Sequence, residues 1–202
     1  MRAQCADLAR RGVAAWNIEY RRIGRGQGGG WPATFDDVAA AIDLLAEVDN
    51  GRLDLDRVAA IGHSAGGQLA LWSATRSDAS VPIGRVVAQA TPCNLSVVGE
   101  PAALLLGGTP DEVPERYTAA DPMLFAPIGV PTLLVHGAGD ETVPLMRSRE
   151  YAERARAGGD DVELVDDVSG GHRVHIDTRS DAWRVAADWV ETGLRQLTPK
   201  PA

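Results

Sequence analysis

Short apolar runs of strand length recur along the chain, and each is separated from the next by a longer stretch with helical spacing. The runs lie at 13–19 (VAAWNIE), 58–61 (VAAI), 85–90 (RVVAQA), 132–136 (TLLVH) and 162–165 (VELV). Helices are expected at 2–11, from Thr34 to about residue 49, at 68–76, near 145–157 and at 181–196. Buried strands that alternate with helices pair in parallel, because each helix carries the chain back across the sheet and covers one of its faces. The expected fold is therefore α/β, a three-layer sandwich around a mainly parallel sheet. The 202 residues suffice for one domain. Residues 91–130 are irregular and read as a small cap-like insertion. Local signals punctuate the pattern. Gly12 ends the first helix, and Thr34 with Asp37 reads as an N-cap and its capping-box partner. Phe35, Val38, Ile42 and Leu45 mark a buried helix face, which Asn50-Gly51 closes.

The run at 58–61 leads directly into GHSAGG and then into a helix, which is the strand–turn–helix context that G-x-S-x-G requires. A serine at the apex of such a turn is strained and exposed above the carboxyl edge of the sheet. Glycines at 62 and 66 are expected to let strand and helix approach. The N–H of Ala65, at the start of the helix, points where an oxyanion would form. Ser64 is thus the expected nucleophile, against the plainer reading of a glycine-rich turn with an incidental serine. His63 adjoins it, but a side chain there points elsewhere. Cys93 reads as a pocket-wall or core thiol.

A serine hydroxyl needs a base to take its proton, and the base needs an acid to hold its tautomer. On this kind of sheet the order is Ser, then Asp or Glu, then His, each on a loop after a strand. Asp140 in HGAGDETVP and His172 in SGGH supply that order. Glu141 would need a different loop geometry, and Asp166, Asp167 and Asp177 read as surface or helix-entry residues. His136 is expected to brace the Asp140 loop. His175 remains the rival base.

Composition narrows the partners. The net charge of −8 argues against nucleic acid or an anionic membrane surface. No apolar run reaches the length needed to cross a bilayer, and the first residues lack the apolar centre of a signal peptide. A cytoplasmic location is expected. The two cysteines show no metal-ligand spacing and suggest no disulfide framework. Neither a metal nor an organic cofactor is implied.

GHSAGGQLALW, VPTLLVHGAGDETVP and GGH together resemble the α/β-hydrolase superfamily, in particular its small esterase and arylformamidase-like branch. EYRR at 19–22, followed by a glycine-rich loop and a helix beginning TFDD, fits the same branch. The resemblance spans residue 2 to about 195. It implies hydrolysis of a small carboxylic ester or an aryl-formamide through an acyl-enzyme.

One departure matters. The family usually carries an HGG-type loop before the first helix, which supplies a second oxyanion donor, and no HGG precedes the helix here. In the family's sheet order, the strand leading into that loop lies between those matching 13–19 and 58–61. Its absence implies a hole in the middle of the sheet, with unpaired backbone groups on both sides unless the strands close up. The expectation is of an N-terminally shortened form of a longer protein. An exposed strand edge promotes pairing between chains, which leaves a homodimer open.

The expected mechanism has Ser64 attack an acyl carbonyl while His172 takes its proton and Asp140 stabilises the imidazolium. Water then releases the acyl group. Two alternatives stand beside it. One is a peptidase of the prolyl-oligopeptidase kind, which shares the turn but usually carries a further large domain. The other is a catalytically silent hydrolase-fold binding module. Trp31 and 91–127 are candidate pocket walls.

Overall fold

A computed structural model describes residues 1–196. Four strands form one parallel sheet in the order β1-β2-β3-β4: β1 (Ala59–His63), β2 (Arg85–Gln89), β3 (Thr132–Gly137) and β4 (Val162–Val168). Ala60 faces Val86 and Val86 faces Thr132 across the ladders. The alternation of side chains along β2 and β3 divides the core in two. Val86, Ala88 and Leu134 point to one side, into a cluster with Phe35, Val38, Ile42, Leu69, Leu71 and Tyr151. Val87, Leu133 and Val135 point to the other, where Leu8, Trp183, Ala186, Ala187 and Val190 pack. This period-two division gives the sheet two apolar faces.

Helices α2 (Ala33–Val48), α3 (Ala65–Ser73) and α7 (Met146–Ala157) cover the first face, and α1 (Arg2–Arg10) and α8 (Asp181–Gln196) cover the second. The expected three-layer arrangement is therefore present. Residues 91–130 hold three short helices, α4 (Glu100–Leu106), α5 (Pro114–Ala120) and α6 (Pro122–Phe125). Their Leu106, Tyr117 and Ala120 are buried in the first core cluster.

Two local expectations are corrected. Thr34 does not cap α2: the helix begins at Ala33, and the Thr34 hydroxyl donates to the Arg21 carbonyl and accepts from the Gly30 N–H. Asp37 instead binds Arg21, taking its backbone N–H at 2.8 Å and its guanidinium at 2.7 and 2.8 Å. Those donors hold the Asp37 carboxyl down at about 2. Both residues thus anchor the loop that enters the helix rather than the helix end.

The larger correction concerns 13–19. This run forms no strand, and among the described residues no partner edge lies beside it. Val13 packs against the second core cluster, while Ile18 and Tyr20 pack against the first. The sheet ends at β1, whose residues are mostly half-buried while those of β3 are all buried. A cavity of about 760 Å³ separates β1 from 13–20. Backbone pairing needs strands about 4.8 Å apart, so the two cannot pair across it.

Candidate active site

The turn after β1 forces Ser64 into φ 56°, ψ −123°, a region that non-glycine residues seldom occupy. Its own N–H donates to the Gln89 carbonyl at 2.8 Å, and its carbonyl accepts from Gly67 at 2.9 Å. Both sides of the kink are therefore tied down. A Cβ at Gly62 would collide with the Gly66 carbonyl, so the strand and the helix do meet there. Gly66 itself has room for a side chain. The second position that tolerates no Cβ is Gly67, packed on the Thr91 hydroxyl. The motif located the turn correctly but assigned one close approach to the wrong glycine.

The loops after β3 and β4 bring Asp140 and His172 to this serine. They are laced together by Gly139 N–H to the Gly170 carbonyl at 3.2 Å and Ala138 N–H to the Val168 carbonyl at 3.3 Å. Gly137 leaves the space in which the Gly170 carbonyl lies. His172 Nδ1 donates to Asp140 Oδ2 at 2.8 Å, and its Nε2 lies 2.9 Å from Ser64 Oγ, placed to accept the hydroxyl proton. The Asp140 side chain is fully buried and that of His172 is 15% exposed. A substrate therefore meets the imidazole but not the carboxylate.

Burial pushes the Asp140 carboxyl up, but the Val143 N–H, His172 and the Thr142 N–H together hold it below its ordinary value. The two backbone donors bind Oδ1 at 2.8 and 2.9 Å. His136 braces this loop as expected. Its Nε2 donates to the Val143 carbonyl at 2.9 Å, which leaves Nδ1 to accept from Ser148 Oγ at 2.7 Å. Burial lowers its pKa, which favours that neutral form.

His63 and His175 take other places. His63 Nε2 donates to the backbone carbonyl of His172 at 2.6 Å, and the two rings lie 4.6 Å apart. The residue beside the nucleophile thus holds the loop of the base, a contact that the motif alone did not reveal. His175 is fully buried in a short 3₁₀ turn, its ring 5.8 Å from that of His63. Neither of its ring nitrogens has a hydrogen-bond partner among the described residues. The Ser64 hydroxyl faces His172, not this rival.

The Ala65 N–H opens α3 and donates to no backbone carbonyl among the described residues. Tyr20, whose hydroxyl lies near Gly66, approaches the same turn. Trp31 packs on Phe35 with ring centroids 5.0 Å apart. Cys93 is buried in the core, and burial pushes its thiol well up. Among the described residues no cluster of His, Cys, Asp or Glu could hold a metal ion, and no helix is long and apolar enough to cross a membrane.

A family model described as BD-FAE, of α/β-hydrolase type, matches residues 1–154. Several solved structures share the fold. Esterase 2 of the planctomycete Thermogutta terrifontis, bound to propionate, is 23% identical with a TM-score of 0.78; the match covers 100% of this chain and 78% of that one. A second structure of the same esterase, phosphoramylated by tabun, is 24% identical with a TM-score of 0.78 over the same shares. An acetyl ester-xyloside bifunctional hydrolase from Caldicellulosiruptor lactoaceticus is 24% identical with a TM-score of 0.77, over 95% of this chain and 74% of that one. No curated protein matches the chain.

Proposed function

Because the chain belongs to the BD-FAE family, we propose that it is a serine esterase that cleaves a small carboxylic ester through an acyl-enzyme. The observation that carries this reading is the continuous hydrogen-bonded path from Ser64 through His172 to Asp140. His172 takes the hydroxyl proton as Ser64 Oγ bonds to the acyl carbon. The carbonyl electrons move to oxygen, where the Ala65 N–H donates to the oxyanion. Collapse expels the alcohol, which receives its proton from His172. Water then repeats the sequence with His172 again as base, releasing the acid and restoring Ser64. The buried Asp140 stays ionised and stabilises the imidazolium at each stage.

Short-chain acyl esters are the first substrates to test, since one esterase that shares the fold is bound to propionate and another neighbour is described as an acetyl ester-xyloside bifunctional hydrolase. Aryl-formamides belong in the same screen, because the triad acts on either acyl carbon.

The decisive experiment is labelling of the purified chain by a fluorophosphonate, read by intact mass, with Ser64→Ala as control. We expect one adduct on the native chain and none on the variant. A folded native chain that takes no label would remove the serine mechanism and leave the binding-module alternative.

A further inference from the structure

We propose that the cleft between the start of β2 and α8 binds a small monocarboxylate with an apolar tail. Arg85 opens β2, at the end of the strands opposite the triad, and lines a cavity of about 420 Å³. Its guanidinium carbon lies 3.9 Å from the centre of the Trp189 ring on α8. One turn further along the helix, a Cβ at Gly193 would collide with the same guanidinium. The head group is therefore held between an aromatic ring and bare helix backbone, which restrains a side chain that is otherwise costly to order. Its Nε is buried without a hydrogen-bond partner among the described residues. The two carboxylates that line the cavity are engaged elsewhere: Glu163 accepts from Trp189 Nε1 at 2.7 Å, and Asp188 is held by Arg11. The two Nη groups of Arg85 are thus left for a ligand.

The walls select that ligand. Two Nη groups form a planar fork, which a carboxylate fills with two parallel N–H···O bonds. Leu133, Val165 and Val185 line the cavity beside it and offer cover to a short alkyl or aryl tail. Glu163 and Asp188 place negative charge on the same walls, so one negative charge on the ligand balances Arg85 and a second meets repulsion. A phosphate or a dicarboxylate fits this balance poorly. An apolar lining with one charged anchor, in a space of this size, has the character of a small-molecule site. None of the lining residues belongs to the triad.

The test is a proton–nitrogen NMR titration of the intact chain, read on the indole N–H of Trp189, a signal that Trp189→Phe identifies. Sodium butyrate is the probe. Butyramide, its uncharged isostere, and inorganic phosphate are the comparisons, all at one ionic strength. Butyrate is expected to move the Trp189 signal along a saturable curve, and the other two to leave it in place. Arg85→Lys keeps the charge and loses the fork, and Arg85→Gln loses both. In each, the half-saturating concentration is expected to rise about tenfold or more, the loss of a hydrogen bond to a charged group. An equal response to butyramide would reduce the cleft to a greasy surface and overturn the proposal. An equal response to phosphate would show only a counter-ion at a cation and overturn it too. So would no response to butyrate, or undiminished binding by a folded Arg85→Lys chain. The signal is local to α8 and needs no turnover, so failure here is distinct from failure of the triad.

Discussion

Strand β3 and the segment 13–20 begin as the same kind of sequence, TLLVHG against VAAWNIEY, and end as different objects. Every residue of β3 is buried between two neighbouring strands and two layers of helices. In 13–20 the backbone joins no ladder, and Trp16 stays 47% exposed. The difference shows that an apolar run becomes a strand only when a partner edge stands beside it. It also divides the triad. Asp140 and His172 hang from the loops after β3 and β4, away from the open side, whereas Ser64 follows β1, the edge strand that borders it.

That division predicts that the triad is more sensitive to chemistry than to packing. Asp140→Asn keeps the size of the side chain but no longer fixes the proton on His172 Nδ1. We expect kcat for a short-chain ester such as p-nitrophenyl acetate to fall about 10⁴-fold, by analogy with the same change in a serine protease triad. Because the loop keeps its braces from His136 and from the Gly139–Gly170 bond, the melting temperature is expected to move by only a few degrees. A loss of activity matched by a loss of folding would place Asp140 in the scaffold rather than in the chemistry.

Core truncations test the comparison directly. Leu134→Ala in β3 empties a site with no solvent access and is expected to cost about 2–5 kcal/mol in denaturant unfolding. Ile18→Ala in the open segment removes a similar volume from a half-buried site that borders a cavity. There the loss should be about 1 kcal/mol, since little packing surrounds the side chain to be lost. Equal losses would mean that 13–20 is packed as firmly as the sheet, and the contrast between the two regions would fail.

The same contrast explains what could be read from residues alone. GHSAGG carried its own structural context, since a serine between glycines after a buried run has few other places to go. The order of Asp140 and His172 followed from the loops that parallel strands must have at their carboxyl ends. The end of 13–19 as a strand was not legible, because apolarity reports burial and says nothing of which edge is adjacent. The exchange of roles between Gly66 and Gly67 depends on where Thr91 arrives, from a strand distant in sequence. Thr34 and Asp37 carried the letters of a capping box, yet Arg21, from the preceding loop, claimed both. The His63 contact with the His172 carbonyl likewise needs two loops 109 residues apart to meet.

At pH 7 the smallest effect is expected at His175, where the fold keeps a polar ring with no hydrogen-bond partner among the described residues. Burial pushes its pKa down to about 3 from an ordinary value of 6.5, with the neighbouring His63 acting in the same direction. Between these limits the unfolded chain binds a proton at this residue and the folded chain does not. Stability therefore rises with pH across that window, by up to about 1.4 kcal/mol per unit from this group, and is flat below it. His63 and His136, also lowered by burial, add to the slope. Asp140 contributes stability above its unfolded value that is lost as pH falls through its depressed folded one. His175→Leu removes the proton site and both unpartnered nitrogens while keeping an apolar fill. The variant should match or exceed the native chain by about 1 kcal/mol at pH 7, and its stability should fall less steeply between pH 6 and pH 4 by close to one proton's worth, about 1.4 kcal/mol per unit. Urea unfolding at three or four pH values checks both. An unchanged slope would show that His175 finds a partner for its charge in the folded state, and the ring would then belong with the hydrogen-bonded histidines of the site rather than with the core.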